Sequence, residues 1–121
     1  MNADRGPLHA AADILLALEH ALRAADLWHE RAPTPAAMAS RTPFCADTLM
    51  FSEWLQFVFL PRMRLIIEND RALPAASGIA VMGREALAEV SGAPAIVAQL
   101  QAFDRLIETG GPPQMPNTAG T

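Results

Sequence analysis

From Pro7 onward, apolar residues recur at helical spacing. Ala11, Ile14, Leu15, Leu18, Ala21, Leu22 and Ala25 share one face, and His9, Asp13, His20 and Arg23 lie on the other. The pattern predicts a first amphipathic helix opening at Pro7, a residue suited to a first turn, and running to about Trp28. It then lapses. Residues 29–46 contain Pro33, Pro35 and Pro43, each of which lacks a donor and biases its predecessor away from helix. A long ordered connection is predicted, pinned by Trp28, Met38 and Phe44.

The densest apolar run is residues 44–67, FCADTLMFSEWLQFVFLPRMRLII. Ser52 is a candidate N-cap, with Glu53 placed for the helix dipole. From 54 to 67 apolar residues surround nearly the whole circumference, as in a helix buried at the centre of a bundle. Pro61 removes the bond to the Phe57 carbonyl and is expected to kink or divide it. Residues 69–78 read as a link. A short helix over 81–90 follows, with Gly83 weakening its start, and then a last helix over 94–108. Its core stripe is Ile96, Leu100, Phe103 and Ile107. Residues 111–121, GPPQMPNTAGT, are expected to be a disordered tail after a single domain spanning 1–110. The fold class is therefore all-α: a compact four-helix bundle or array with a proline-interrupted central helix and a long ordered connection before it.

Composition narrows the partners. The 121 residues include no lysine, and the net charge is −4. Nucleic-acid binders draw most non-specific affinity from basic surfaces, so direct nucleic-acid binding is disfavoured. One cysteine, Cys45, excludes an intramolecular disulfide and fits a reducing compartment. Asp13 and Glu19 interrupt the N-terminal apolar stretch, which argues against a signal peptide. No segment has the ~18 apolar residues of a membrane span. A cytoplasmic location is expected.

Candidate chemistry is sparse. Arg62 projects onto an arc with Leu55, Val58 and Ile66, opposite Glu53. A guanidinium there requires an acceptor or must reach outward. Asp47 is the first expected partner and Glu30 the second, in a structural salt bridge; the functional alternative is an anion-binding arginine. Asp47 and Thr48 suit a cap or Asx turn before the helix. Glu53 and Gln56, one turn apart, suggest a polar notch beside Trp54, without a second acid for paired-carboxylate chemistry. His9, Asp13 and His20 are too widely spaced for a metal site and read as a solvated face. His29 reads as a cap at the first helix end. Cys45, in an apolar setting, reads as a buried inert thiol. No metal or cofactor is expected.

Phe44, Asp47-Thr48-Leu49, Glu53-Trp54-Leu55-Gln56-Phe57 and Leu60-Pro61-Arg62-Met63 together resemble the signature of the YqcC-like family of small helical bacterial proteins. The likeness extends more weakly over residues 8–107. Around Met82-Gly83 the family pattern implies a larger or aromatic residue. The resemblance implies the fold and no biochemical activity. Family members sometimes carry the label pseudouridine synthase. This chain is too short for that enzyme's catalytic domain and lacks both its catalytic aspartate setting and a basic RNA face. The expected function is a non-enzymatic cytosolic interaction or accessory protein. Its partner, an amphipathic segment, would dock in the groove between the 29–52 arm and the central helix, around Asp47, Thr48, Glu53, Trp54, Gln56 and Arg62. The alternative is an anion-binding small-molecule module, or an enzyme, using Arg62. A concave pocket beside an unpaired Arg62 favours the alternative; a paired Arg62 with a flat apolar patch favours the protein partner.

Overall fold

The computed structural model describes residues 6–109, which form helices and connections with no strand. Helix α1 (Gly6–Ala24) buries Leu8, Ala11, Leu15, Leu18 and Leu22. It stops four residues short of Trp28. Asp26 adopts a left-handed conformation (φ 63°), and the N–H groups of Asp26 and Leu27 donate back to the carbonyls of Arg23 and Leu22. This is a Schellman closure with Asp where glycine is usual, so the sequence carried no conventional stop signal. Arg23, in the last turn, places its guanidinium 4.4 Å from the centre of the Trp28 ring.

The connection is ordered, as expected. A single turn, α2 (Pro35–Met38), is capped by Thr34, whose Oγ1 accepts the Ala37 N–H at 3.1 Å. A 3-10 turn follows at Pro43–Cys45, with Phe44 and Cys45 both left-handed (φ 60° and 51°). Two successive non-glycine residues in that region carry a cost of order 1–3 kcal/mol each, sustained by the surrounding packing.

The central helix is one rod in three contiguous parts: α3 (Phe51–Trp54), a π-turn (Leu55–Phe59) and α4 (Leu60–Glu68). Leu60 N–H donates to the Leu55 carbonyl, the five-residue bond of a π-turn. Pro61 therefore follows a widened turn and does not divide the helix. The extra residue advances everything beyond it by about 100° around the axis. Met50, not Ser52, precedes the first turn. Glu53 is the capping group, accepting the Met50 N–H at 2.8 Å.

Helix α5 (Ile79–Ala86) starts two residues before its expected position and ends four before. Helix α6 (Ala93–Thr109) buries the expected stripe together with Val97 and Leu106. It packs against α1 and α5, and α1 also meets α4. Phe103, Leu18, Leu22, Leu55, Leu60, Ile96 and Leu100 are fully buried at the centre. Gly83 does not weaken the start of its helix. It lies inside α5, where a Cβ would stand 2.5 Å from Leu100 Cδ1, so the small residue admits α6. Gly92 likewise lets its loop approach Ala25, whose Cβ and Cα would lie 2.6 and 3.2 Å from an added Cβ. The expected tail, 111–121, lies outside the described residues.

Candidate functional site

Of the residues singled out in the sequence, Trp54 and Arg62 line one cavity, and Asp47, Thr48, Glu53 and Gln56 are engaged elsewhere. Arg62 is exposed, and neither Asp47 nor Glu30 reaches it. The π-turn explains the difference: rotated by one residue, Leu60 and Met63 take the buried arc and Arg62 turns outward. Asp47 instead accepts the Ser40 hydroxyl, which holds its carboxyl below the ordinary carboxylate value. The Thr48 hydroxyl donates to the Ala37 carbonyl at 2.6 Å, fastening α2 to the following turn. Both side chains bind the arm to itself and neither caps the central helix.

Gln56 is almost fully buried, but it does not pair with Glu53. Its Nε2 donates to the His29 carbonyl and its Oε1 accepts the His29 N–H, both at 2.8 Å. His29 Nε2 lies 2.9 Å from the buried Ser52 Oγ. His29 is therefore no helix cap, and Ser52 no N-cap. Together they stitch the arm to the central helix, in the seam where a docking groove was expected. Their sequence separations, 27 and 23 residues, left no local pattern to read.

A concave feature lies where Phe44 of the arm, Trp54 and Arg62 of the central helix and the segment before α5 meet. A cavity of about 360 Å³ is lined by Phe44, Trp54, Phe59, Met63, Pro74, Ala76, Ser77, Gly78, Ile79 and Phe103, with Arg62 its one charged residue. The aromatic rings brace one another. Phe44 meets Trp54 edge-on at 4.9 Å, Trp54 stacks on Phe59 at 5.6 Å, and Phe59 meets Phe103 edge-on at 5.0 Å. The left-handed Phe44–Cys45 pair brings Phe44 into this wall. Trp54, expected beside the docking groove, thus stands in the wall of this cavity together with Phe59. Cys45 itself is buried and free, as expected.

Two arginines two residues apart, on nearly opposite sides of the rod, behave differently. Arg64 pairs with Glu19 of α1 at 2.7 Å, and Glu19 also holds Arg23 at 2.9 Å. Burial alone would raise the Glu19 carboxyl, but the hydrogen bonds and charges of Arg23 and Arg64 outweigh it and hold the group below its ordinary value. Arg64 also borders a smaller cavity of about 260 Å³ with Ala12, Leu15, Leu16, Ile67 and Glu68. Arg62 has no hydrogen bond or ion pair among the described residues. At helical contact distance its own rod offers Val58, Phe59, Leu65 and Ile66, and no acid.

Behind the segment that leads into α5, Asp104 of α6 is half-buried and accepts from the Ser77 hydroxyl, from Ile79 N–H at 3.1 Å and from Ala80 N–H at 3.0 Å. This remote carboxylate caps α5 and explains why the helix begins at Ile79. The sequence could not show it, because the cap lies 25 residues away. No group of three or more His, Cys, Asp or Glu side chains is placed to hold a metal among the described residues. No described helix is long and apolar enough to cross a membrane.

These features define a small all-α domain with a stitched arm and an aromatic cavity beside its central helix. The chain belongs to the DUF446 family, whose model, described as tRNA pseudouridine synthase C, matches residues 10–106. It is 38% identical to the uncharacterised protein YqcC of Escherichia coli over 93 residues, covering 76% of this chain and 85% of that one. The solution NMR structure of YqcC superposes with a TM-score of 0.76 at 30% identity, covering 94% of this chain and 98% of the other. An uncharacterised Haemophilus influenzae protein is 34% identical over 89 residues, covering 74% and 84%. A Pectobacterium carotovorum protein named tRNA pseudouridine synthase C is 43% identical over 60 residues, half of this chain but only 16% of that one. The family expected from residues 44–63 and the all-α fold expected from the helical patterning along the chain are borne out.

Proposed function

We propose that this chain is a non-enzymatic cytosolic binding protein whose receptor is the aromatic cavity beside Trp54. The observation that carries the reading is Arg62, an arginine without an acidic partner at an otherwise apolar concavity. Pockets with largely apolar walls and a few polar groups are the usual form of small-ligand sites. The seam between arm and central helix is the weaker candidate, because Gln56, His29 and Ser52 already satisfy one another there. A fragment screen followed by backbone amide NMR tests the choice. Shifts should gather at Phe44, Trp54, Phe59 and Phe103. They should disappear in Ala76→Phe, which fills the cavity from an exposed lining position. Shifts gathered instead around Gln56 and His29 would return the function to the seam.

A second reading concerns the partner. In the Pectobacterium protein, the segment similar to this chain lies within a much longer polypeptide named tRNA pseudouridine synthase C. The E. coli and H. influenzae relatives match over most of their own lengths. A module joined to an enzyme in one organism and free in others supports an accessory role beside that enzyme, with the catalysis residing in the synthase. Co-expression with a separately encoded tRNA pseudouridine synthase C should give one co-eluting complex. Independent elution at micromolar concentration would remove this reading and leave the receptor untouched.

A further inference from the structure

We infer that the cavity takes a compact apolar monocarboxylate, with the carboxylate on Arg62 and the hydrocarbon or single ring among Phe44, Trp54, Phe59 and Phe103. The inference rests on the cavity being a receptor and adds the chemistry of what it receives.

Charge decides the head group. Arg62 is the one charged residue of the lining, and neither its own rod nor any described ion pair supplies an anion. Arg64, two residues on, shows what a satisfied arginine looks like on the same helix: it is held by Glu19 at 2.7 Å. A guanidinium presents paired donors that match the two oxygens of a carboxylate.

The number of charges follows from Asp104. The α5 N-terminus borders the cavity through Gly78 and Ile79 and would otherwise attract a second anion. Its first two N–H groups and the Ser77 hydroxyl already donate to Asp104. A dianion such as a phosphate monoester would find one exposed arginine and a helix terminus whose first donors are already taken. A single negative charge fits; two do not.

Size and shape limit the tail. About 360 Å³ lies near the lower end of small-molecule sites, which run from roughly 300 to 1,000 Å³. The walls are ring faces and edges with Met63, Pro74 and Ile79 between them, a surface for one ring or a short alkyl chain.

The probes are 3-phenylpropionate and octanoate, each against its primary amide, titrated into the full chain. The two indole N–H resonances give a built-in control, since Trp54 lines the cavity while Trp28 lies under Arg23. The acids should move the Trp54 signal, leave Trp28 in place and bind about tenfold more tightly than the amides, as expected for a partly exposed charge-assisted pair. Arg62→Ala should erase the preference and Arg62→Lys should keep part of it. Arg62 is exposed and makes no described bond, so both variants should unfold at the wild-type midpoint. Equal binding of acids and amides at Trp54 would overturn the carboxylate inference while the receptor stands. An acid preference that survives Arg62→Ala would overturn the assignment to Arg62. A Trp54 signal that no probe or fragment moves would remove the receptor itself.

Discussion

At the scale of single residues, this chain repeatedly places an unexpected side chain where backbone geometry favours glycine, and glycine where packing forbids a side chain. Asp26 closes α1 in the left-handed region at φ 63°. An L-residue there costs about 1–2 kcal/mol, less for Asp than for most. Asp26→Gly should therefore stabilise the fold by about 0.5–1 kcal/mol in urea unfolding. An unchanged midpoint would mean that the aspartate side chain contributes more than its backbone loses. Gly83 gives the opposite case. A methyl group 2.5 Å from Leu100 Cδ1 must displace a fully buried side chain, so Gly83→Ala should destabilise by about 1–3 kcal/mol despite its better helix propensity. A stabilised variant would show that Leu100 can move aside. Neither residue's role was legible in the sequence. An aspartate after a helix reads as a polar loop residue, and a glycine within one reads as a weak spot until its neighbour across the interface is known.

At the scale of elements, periodicity located every major helix and two non-local effects set the boundaries. The stripes of α1 and α6 were legible because each faces one core at a constant 3.6-residue period. The central helix broke that assumption at Leu55–Phe59, where the π-turn advances the register. A projection at a fixed 100° per residue therefore put Arg62 on the buried arc it does not occupy. Pro61 signalled a disturbance, but its form depends on the five-residue bond from Leu60 to Leu55. The start of α5 depends on Asp104, a cap that no local window contains. Asp104→Ala removes the acceptor of two backbone donors and the Ser77 hydroxyl, with an expected loss of about 1–2 kcal/mol. Amide exchange at Ile79 and Ala80 should accelerate beyond the global change, and exchange that merely follows global stability would deny Asp104 a capping role. The candidate site was legible only in part. Trp54 and Arg62 were singled out, whereas Phe44, Phe59 and Phe103 join them through a strained turn, the π-turn and a neighbouring helix.

At the scale of the whole molecule, Glu19 ties two arginines together: Arg23 in its own helix and Arg64 on the central rod. This clamp spans the α1–α4 contact beside the smaller cavity. The Glu19 carboxyl starts from an ordinary value of 4.5 and is lowered in the fold, because its two arginines outweigh the effect of burial. A group held lower in the folded state binds protons more readily when unfolded. Its contribution is therefore complete above 4.5 and is lost as pH falls through the folded value. The arginine side chains remain 53% and 44% exposed, so solvent screening limits the total to about 1 kcal/mol or less. Urea unfolding of wild type and Glu19→Gln should differ most above 4.5 and draw together as pH falls below it, with added salt narrowing the gap at the higher pH. A gap that persisted unchanged far below 4.5 would assign the glutamate's effect to packing along α1, not to charge. Because Arg64 would be released while Arg62 is free throughout, carboxylate binding at Trp54 should survive in Glu19→Gln. The clamp and the receptor would then be independent uses of two arginines on one helix.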